Sequence, residues 1–398
     1  MNSSPYLRRL AALKAKSLHR RLRTIDSVDG IRVQRDGRVF VNFASNDYLG
    51  LAQHPALRAA AIEAVKEFGA GSGASRLITG TLAVHQELEA KLAVFKQTTA
   101  ALTFESGYAA ATGTIPALFG KGDIIILDKL VHACLIDGAR LSGAEIRVYP
   151  HNRLDRLEEL LKWARQKRPG SNILVLTESV FSMDGDLCPL SEIVELKEKY
   201  GAILLLDEAH ATGVCGPGGA GLAAELGLGN RIEIQMGTLS KAVGSAGGFV
   251  AGDAALIDLL INSARTFIYS TAPTPAAVAA AIAGVSLISS PTGEQLRATL
   301  RDNVKRCREN QELTGSCGSA IVPIVVGSES EALRASEKLA EQGYLVPAIR
   351  FPTVPRNSAR LRVTLSAAHE PKEILGLREA IAGAATEPIR LGLHRPDA

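Results

Sequence analysis

The run Ile203-Leu204-Leu205-Leu206-Asp207-Glu208-Ala209-His210 decides the fold class. Four aliphatic residues in a row, without polar alternation, describe a strand buried on both faces, and an acid closes it. Working outward, similar short runs recur at Ile124–Leu127, Ile146–Tyr149, Ile173–Thr177, Glu233–Met236 and Gly248–Ala251. Helical patterns such as Leu154–Gln166 and Leu190–Tyr200 lie between them. Strands alternating with helices predict an α/β fold with a large, mostly parallel sheet covered on both faces. In such sheets ligands bind beyond the carboxyl ends of the strands, so polar residues just past each run carry the functional reading.

Three regions follow. Residues 1–50 hold a basic helical arm and a short hairpin, Ile31–Val33 and Val39–Phe43, around Asp36-Gly37. Residues 51–285 are the large α/β domain, closing on the Ala-rich helix Ala276–Ile288. Residues 286–398 alternate helices with strands at Ile321–Val326, Leu345–Ile349 and Leu361–Leu365, as a small α+β domain would. In the arm, Leu7, Leu10, Leu13, Leu18 and Leu22 recur at near-helical spacing and are expected on one face. The arm has seven Lys/Arg and no acid before Asp26, the composition of a transit peptide, but an amphipathic arm is the plainer reading.

A formal charge of +4 is too mild to argue for nucleic acid and suits small anionic ligands. No apolar run approaches the roughly 20 residues of a membrane span. The cysteines, Cys134, Cys188, Cys215, Cys307 and Cys317, are odd in number and scattered, with no CxxC. That argues against a disulfide framework or a metal site, and a cytoplasmic, reducing location is expected.

Asp207 on its own reads as the cap of the next turn. Thirty-four residues on, Lys241 lies between the Glu233–Met236 run and a Gly/Ala-rich stretch ending at Gly247-Gly248. A lone lysine is ordinarily solvated surface. One held where backbone can approach a ligand can form a Schiff base with an aldehyde. A Schiff-base lysine with an acid for a pyridinium nitrogen is the signature of a pyridoxal-phosphate (PLP) site. Glu105-Ser106-Gly107-Tyr108 opens a helix whose N-terminal N–H groups suit a phosphate. His132 follows another strand and could stack on an aromatic cofactor.

Six stretches together resemble the α-oxoamine synthases, PLP enzymes of the aspartate-aminotransferase-like fold (fold type I). They are SNDYLGL (Ser45–Leu51), GSGASRLITGT (Gly71–Thr81), TESVFSMDGD (Thr177–Asp186), DEAHATG (Asp207–Gly213), GTLSKAVG (Gly237–Gly244) and RLRVTLSAAHE (Arg360–Glu370). The resemblance implies that Lys241 holds PLP covalently and serves as the base, that Asp207 keeps the ring nitrogen protonated, and that His132 stacks on the ring. It implies that His210 approaches the phenolic oxygen, that Gly107, Tyr108 and Thr238 contact the phosphate, and that Glu178 and Ser182 orient the ring. Ser270-Thr271 would reach the phosphate of a neighbouring subunit in a homodimer with shared sites. Asn46 and Arg362 would meet substrate, Arg362 through the amino acid carboxylate. Arg360, at strand spacing from Arg362, is expected in a surface ion pair. Where family members often show an Asn after the SGF-like motif, this chain has Ala111.

Ala348-Ile349-Arg350-Phe351-Pro352-Thr353-Val354-Pro355 resembles a segment of the branch that joins L-alanine to a pimeloyl thioester, with Phe351 in place of a proline. Arg350 is then a candidate for positioning substrate, and Arg20 for its distal carboxylate. Another branch, such as the glycine C-acetyltransferases, or a PLP aminotransferase, is the alternative.

Overall fold

The computed structural model describes residues 4–15, 18–308, 318–384 and 390–391. The chain divides into two compact units. One comprises Met1–Ser45, Asn303–Gln311 and Ile321–Ala398, the other Asn46–Asp302 and Glu312–Ala320.

The larger unit is built on a seven-stranded sheet. Its spatial order is Ala100–Phe104, Gly248–Gly252, Ile234–Thr238, Ile203–Asp207, Ile173–Glu178, Ile124–Asp128 and Glu145–Tyr149. Four pairings between neighbours, from Ile234–Thr238 to Glu145–Tyr149, are parallel. Gly248–Gly252 runs antiparallel to both of its neighbours. Ile124–Ile126, Leu174–Leu176 and Leu204–Leu206 are at most 1 % exposed, as expected for runs without polar alternation. Because six strands point one way, Phe104, Asp128, Tyr149, Glu178, Asp207 and Thr238 end along a single edge of the sheet. Gly248 starts there too, opposite Phe104 and Thr238.

The fold is thus α/β, a large and mostly parallel sheet whose strands alternate with helices. The strand Ala100–Phe104 was not among the expected ones. Its two alanines and a buried Thr103 blur the apolar run.

The smaller unit joins the two chain ends. The hairpin Arg32–Arg35/Arg38–Asn42 turns through Asp36 (φ 52°) and Gly37 (φ 73°), the left-handed pair that suits a two-residue loop. Tyr344–Leu345 then extends that sheet in parallel. A second sheet sets Ala359–Thr364 between Ala348–Ile349 and Ile321–Gly327. The arm departs from expectation. Its helix is Pro5–Ala15 and has no buried residue. Leu18 and Leu22 lie beyond it, Leu22 fully exposed, so the leucines do not share one helical face. The cysteine reading also needs correction. Cys134, Cys188 and Cys307 are free, but Cys215 is disulfide-bonded, because spacing along a chain does not report proximity in space. No single helix among the described residues is long and apolar enough to cross a membrane.

His369 ties this unit together. Its ring stacks on Phe43 at 4.1 Å and 2°, Nδ1 accepts from the Ser366 N–H, and Nε2 lies 3.3 Å from the Asn42 carbonyl. Those partners require neutral imidazole with hydrogen on Nε2. Burial pushes its pKa down to about 4, against the two backbone bonds. An unfolded histidine takes up its proton near pH ~6.5, whereas the folded one resists until about 4. Its contribution to stability is therefore complete above the first value and falls as pH drops toward the second. Urea midpoints measured from pH 7 down to 4 should show an acid slope that is reduced in His369→Gln.

Candidate active site

Lys241 lies three residues past the strand Ile234–Thr238, and Asp207 ends the neighbouring strand. Lys241 Nζ is 2.8 Å from His210 Nε2. His210 Nδ1 is in turn 2.5 Å from the Tyr48 hydroxyl, which donates to Asn46 Oδ1 at 3.2 Å. One assignment of hydrogens satisfies the whole chain: Lys241 donates to Nε2, Nδ1–H donates to Tyr48, and Tyr48 donates to Asn46. Asp207 is 5 % exposed. Burial raises its carboxyl above the ordinary range, against the pull of the Lys241 ammonium. Glu178, beside it in register, is pushed well up by burial and then by the charge on Asp207.

The Glu178 side chain accepts the backbone N–H of His132 through Oε1. This fixes the start of the helix Ala133–Ser142, whose first turn the His132 ring caps by accepting from the Cys134 N–H at 3.3 Å. Burial lowers the His132 pKa, leaving a neutral ring face. Ser182, 8 % exposed, lies in the connection that follows Glu178.

At the other side of the same edge, the helix Gly107–Leu118 begins with Ser106 as its cap, Oγ accepting from the Ala109 N–H at 3.1 Å. The N–H groups of a first helical turn have no partner within the helix and favour an anion. Gly107 is so close to Thr238 that an added Cβ would stand 3.6 Å from the Thr238 Cβ. Thr238 Oγ1 lies 2.8 Å from Ser240 Oγ, adding hydroxyls to the cradle. The strand carrying Gly248 passes tightly beneath: a Cβ there would fall 2.5 Å from the Gly107 nitrogen and the Ser106 carbonyl. Gly248→Ala must therefore push the helix start away. We expect apo Gly248→Ala to bind PLP at least tenfold more weakly than wild type in a fluorescence titration.

The remaining expected site residues divide between the two units. Asn46 belongs to the larger unit and ends the hydrogen-bonded chain from Lys241. Thr271 is exposed and bridges to Ser75, beside an exposed Tyr269. Arg20, Arg350 and Arg362 belong to the smaller unit. There Arg20 and Arg350 line one cavity of about 1120 Å³. Arg362 does not line it and donates to Thr364 Oγ1 at 2.9 Å. Arg360 does not lie on the surface as expected: it is 4 % exposed, because both faces of its strand are covered, and it donates to the Ser358 carbonyl. Ala111 is fully buried, its carbonyl 2.9 Å from where a Cβ on Gly138 would stand.

The family model "aminotransferase class I and II" matches residues 38–381. The chain belongs to that family. Within it, the chain is 48 % identical over 369 residues to an 8-amino-7-oxononanoate synthase of Citrifermentans bemidjiense, covering 92 % of this chain and 94 % of that one. It is 46 % identical over 388 residues to the enzyme of that name from Geobacter sulfurreducens, covering 96 % and 98 %. Among solved structures, the serine palmitoyltransferase of Sphingomonas wittichii superposes with a TM-score of 0.88 at 31 % identity, over 96 % of both chains. The 8-amino-7-oxononanoate synthase of Francisella tularensis gives 0.72 at 29 % identity, over 86 % and 97 %. This family member is a PLP-dependent acyltransferase of the 8-amino-7-oxononanoate synthase group.

The donor set suits PLP. Of the two side-chain oxygens of the nearly buried Asp207, only Oδ1 accepts a hydrogen bond among the described contacts, from the Ala209 N–H at 2.9 Å. A pyridinium N–H is the partner such a carboxylate calls for. The Ser106–Tyr108 cradle matches a phosphate, and Lys241 lies where an aldehyde could be held. Tyr48 was missed in the sequence. Its place inside the SNDYLGL stretch was its only signal; that the residue is 1 % exposed, so that its hydroxyl must find a partner, emerges only in the fold.

Proposed function

We propose that this chain condenses L-alanine with a pimeloyl thioester, releasing the thiol and CO₂ and forming 8-amino-7-oxononanoate for biotin synthesis. Glycine C-acetyltransferase activity is the second reading, and the cavity in the smaller unit favours the first. Among the described residues that cavity is lined by Arg20, Arg21, Arg23, Arg35 and Arg350, with no Asp or Glu on its wall. Leu345 and Val346 add apolar surface. Guanidinium groups grip carboxylates through paired hydrogen bonds. An acyl chain ending in a carboxylate suits such a cavity, and an acetyl group has no use for it.

PLP, when bound, supplies the electron sink that makes the Cα proton of an amino acid removable. Lys241 is the base in this reading. Its Nζ has His210 as proton acceptor at 2.8 Å, and His210 is itself held by Tyr48. Asp207 provides the buried negative charge that favours a protonated ring nitrogen. His132 and Ser182 would confine the ring, Glu178 holds the His132 loop, and Gly107, Tyr108 and Thr238 would hold the phosphate. Arg362 would take the amino acid carboxylate. We further infer a cytoplasmic homodimer in which Thr271 reaches the phosphate of the second copy. In support, Thr271 is exposed and the nearby Ile78 and Tyr269 are 75 % and 71 % exposed.

The deciding experiment is thiol release by PLP-loaded protein given pimeloyl-CoA, with L-alanine and glycine compared. Release that requires L-alanine supports the proposal. Release only from acetyl-CoA with glycine would overturn it. Charge-assisted hydrogen bonds contribute about 1.5–3 kcal/mol, so Arg20→Ala or Arg350→Ala should raise KM for pimeloyl-CoA roughly tenfold or more. KM for L-alanine should stay within twofold.

A further inference from the structure

His151 lies two residues past the strand Glu145–Tyr149, between two carboxylates. Its Nδ1 is 3.0 Å from Asp128 Oδ1, and its Nε2 is 2.7 Å from Asp186 Oδ2. Both ring nitrogens thus face acceptors, an arrangement satisfied when both carry hydrogen and the ring is a cation. The Asp128, His151 and Asp186 side chains are 0 %, 10 % and 19 % exposed. Phe181 closes the group edge-on, with centroids 4.3 Å apart at 85°. Burial of the ring opposes its charge, but the bonds to Asp128 and Asp186 prevail and hold the pKa up to about 10.

Each carboxylate governs a different segment. Asp128 ends its strand and accepts from the Leu130 N–H at 2.8 Å, which sets the course of the loop to His132. It also accepts the Asn152 N–H at 2.8 Å. Asp186 closes the loop that follows Glu178: its carbonyl accepts from the Phe181 N–H, and Val180 bridges to Leu187. Ser182 lies inside that loop. Asn152, held at φ 54°, donates to the Leu187 carbonyl at 3.2 Å and ties the same loop down again.

We propose that His151, as an imidazolium, is a positioning residue that clamps the loop bearing His132 to the loop bearing Ser182, so setting the orientation of the cofactor ring. This rests on the reading that His132 and Ser182 face that ring. A residue that only stabilised the fold would leave the bound cofactor's environment unchanged.

The test uses the full chain, stripped of PLP and titrated with it, in wild type, His151→Gln and Asp186→Asn. The readouts are the PLP Kd by fluorescence and the visible circular dichroism of the bound cofactor, which reports its orientation. Both variants should bind PLP at least tenfold more weakly, with an altered dichroic band. Kd within twofold of wild type and an unchanged band in the variants would overturn the clamp, even if their thermal midpoints fell. Should His151→Gln fail to fold, Asp186→Asn decides by the same criteria. Failure of the wild type to take up PLP would bring down the site reading together with the clamp, whereas normal wild-type binding beside unchanged variants removes the clamp alone.

Discussion

Lys241→Ala should lower thiol release by at least ~10³-fold and leave PLP unattached. General-base groups contribute typically ~10²–10⁴-fold, and this side chain is asked to hold the cofactor as well. His210, which keeps Tyr48 on its far nitrogen, cannot stand in for the amine, because an imidazole forms no Schiff base with an aldehyde. Borohydride reduction followed by peptide mass measurement should find PLP fixed to Lys241 in wild type and to no peptide in the variant. Thermal stability of the apo variant should stay close to wild type, because Lys241 lies at a strand exit and not in the packed core. A variant that kept activity within tenfold, or carried PLP on another lysine, would end the assignment.

The largest effect on stability is expected at Lys96. It closes the helix Ala83–Lys96 and reaches the Glu208 carboxylate with 1 % and 0 % of the two side chains exposed. Lys96 also donates to the Ala220 carbonyl, and the other Glu208 oxygen accepts the Ala223 N–H at 3.0 Å. Every polar atom of the pair is thereby used, which makes a buried charge tolerable. Lys96→Met strands a carboxylate in the interior, at a cost of about 3–5 kcal/mol. Lys96→Met/Glu208→Gln removes both charges while keeping an acceptor for Ala223, and should recover more than half of that loss. Urea unfolding of the apo proteins measures both. Equal midpoints for wild type and Lys96→Met would contradict the burial. Because Glu208 follows Asp207 directly, the single variant should also weaken PLP binding.

Much of this architecture was legible because buried parallel strands leave unbroken aliphatic runs. Ile124–Asp128, Ile173–Glu178 and Ile203–Asp207 were expected within a residue or two of where they lie. The Asp36-Gly37 turn was legible through residues that tolerate left-handed backbone. Ala100–Phe104 was not, since alanine and threonine carry little strand signal until a neighbour buries them. Lys241, Asp207, His132 and His210 stood out through motif resemblance. Tyr48 and His151 did not, because the partners that define them lie 162 and 35 residues away, and no local pattern encodes such distances. Arg20 and Arg350, 330 residues apart, share one cavity wall, while the strand neighbours Arg360 and Arg362 are both buried outside it, one bonded to a carbonyl and the other to a threonine.

The antiparallel strand Gly248–Gly252 is the sole sheet partner of Ala100–Phe104 among the described residues. Synthesis proceeds from the N-terminus, so the earlier strand leaves the ribosome long before its partner exists. The parallel strands from Ile124 to Thr238 can assemble in the meantime, but Ala100–Phe104 waits as an unpaired edge until residue 252 has emerged. Closing that gap carries a large loop entropy and belongs late in folding. The phosphate cradle, which needs Gly107 and Gly248 in register, is then among the last features to form. A nascent chain halted before residue 252 should hold no cofactor, and free PLP should act as a ligand that draws this final docking step to completion.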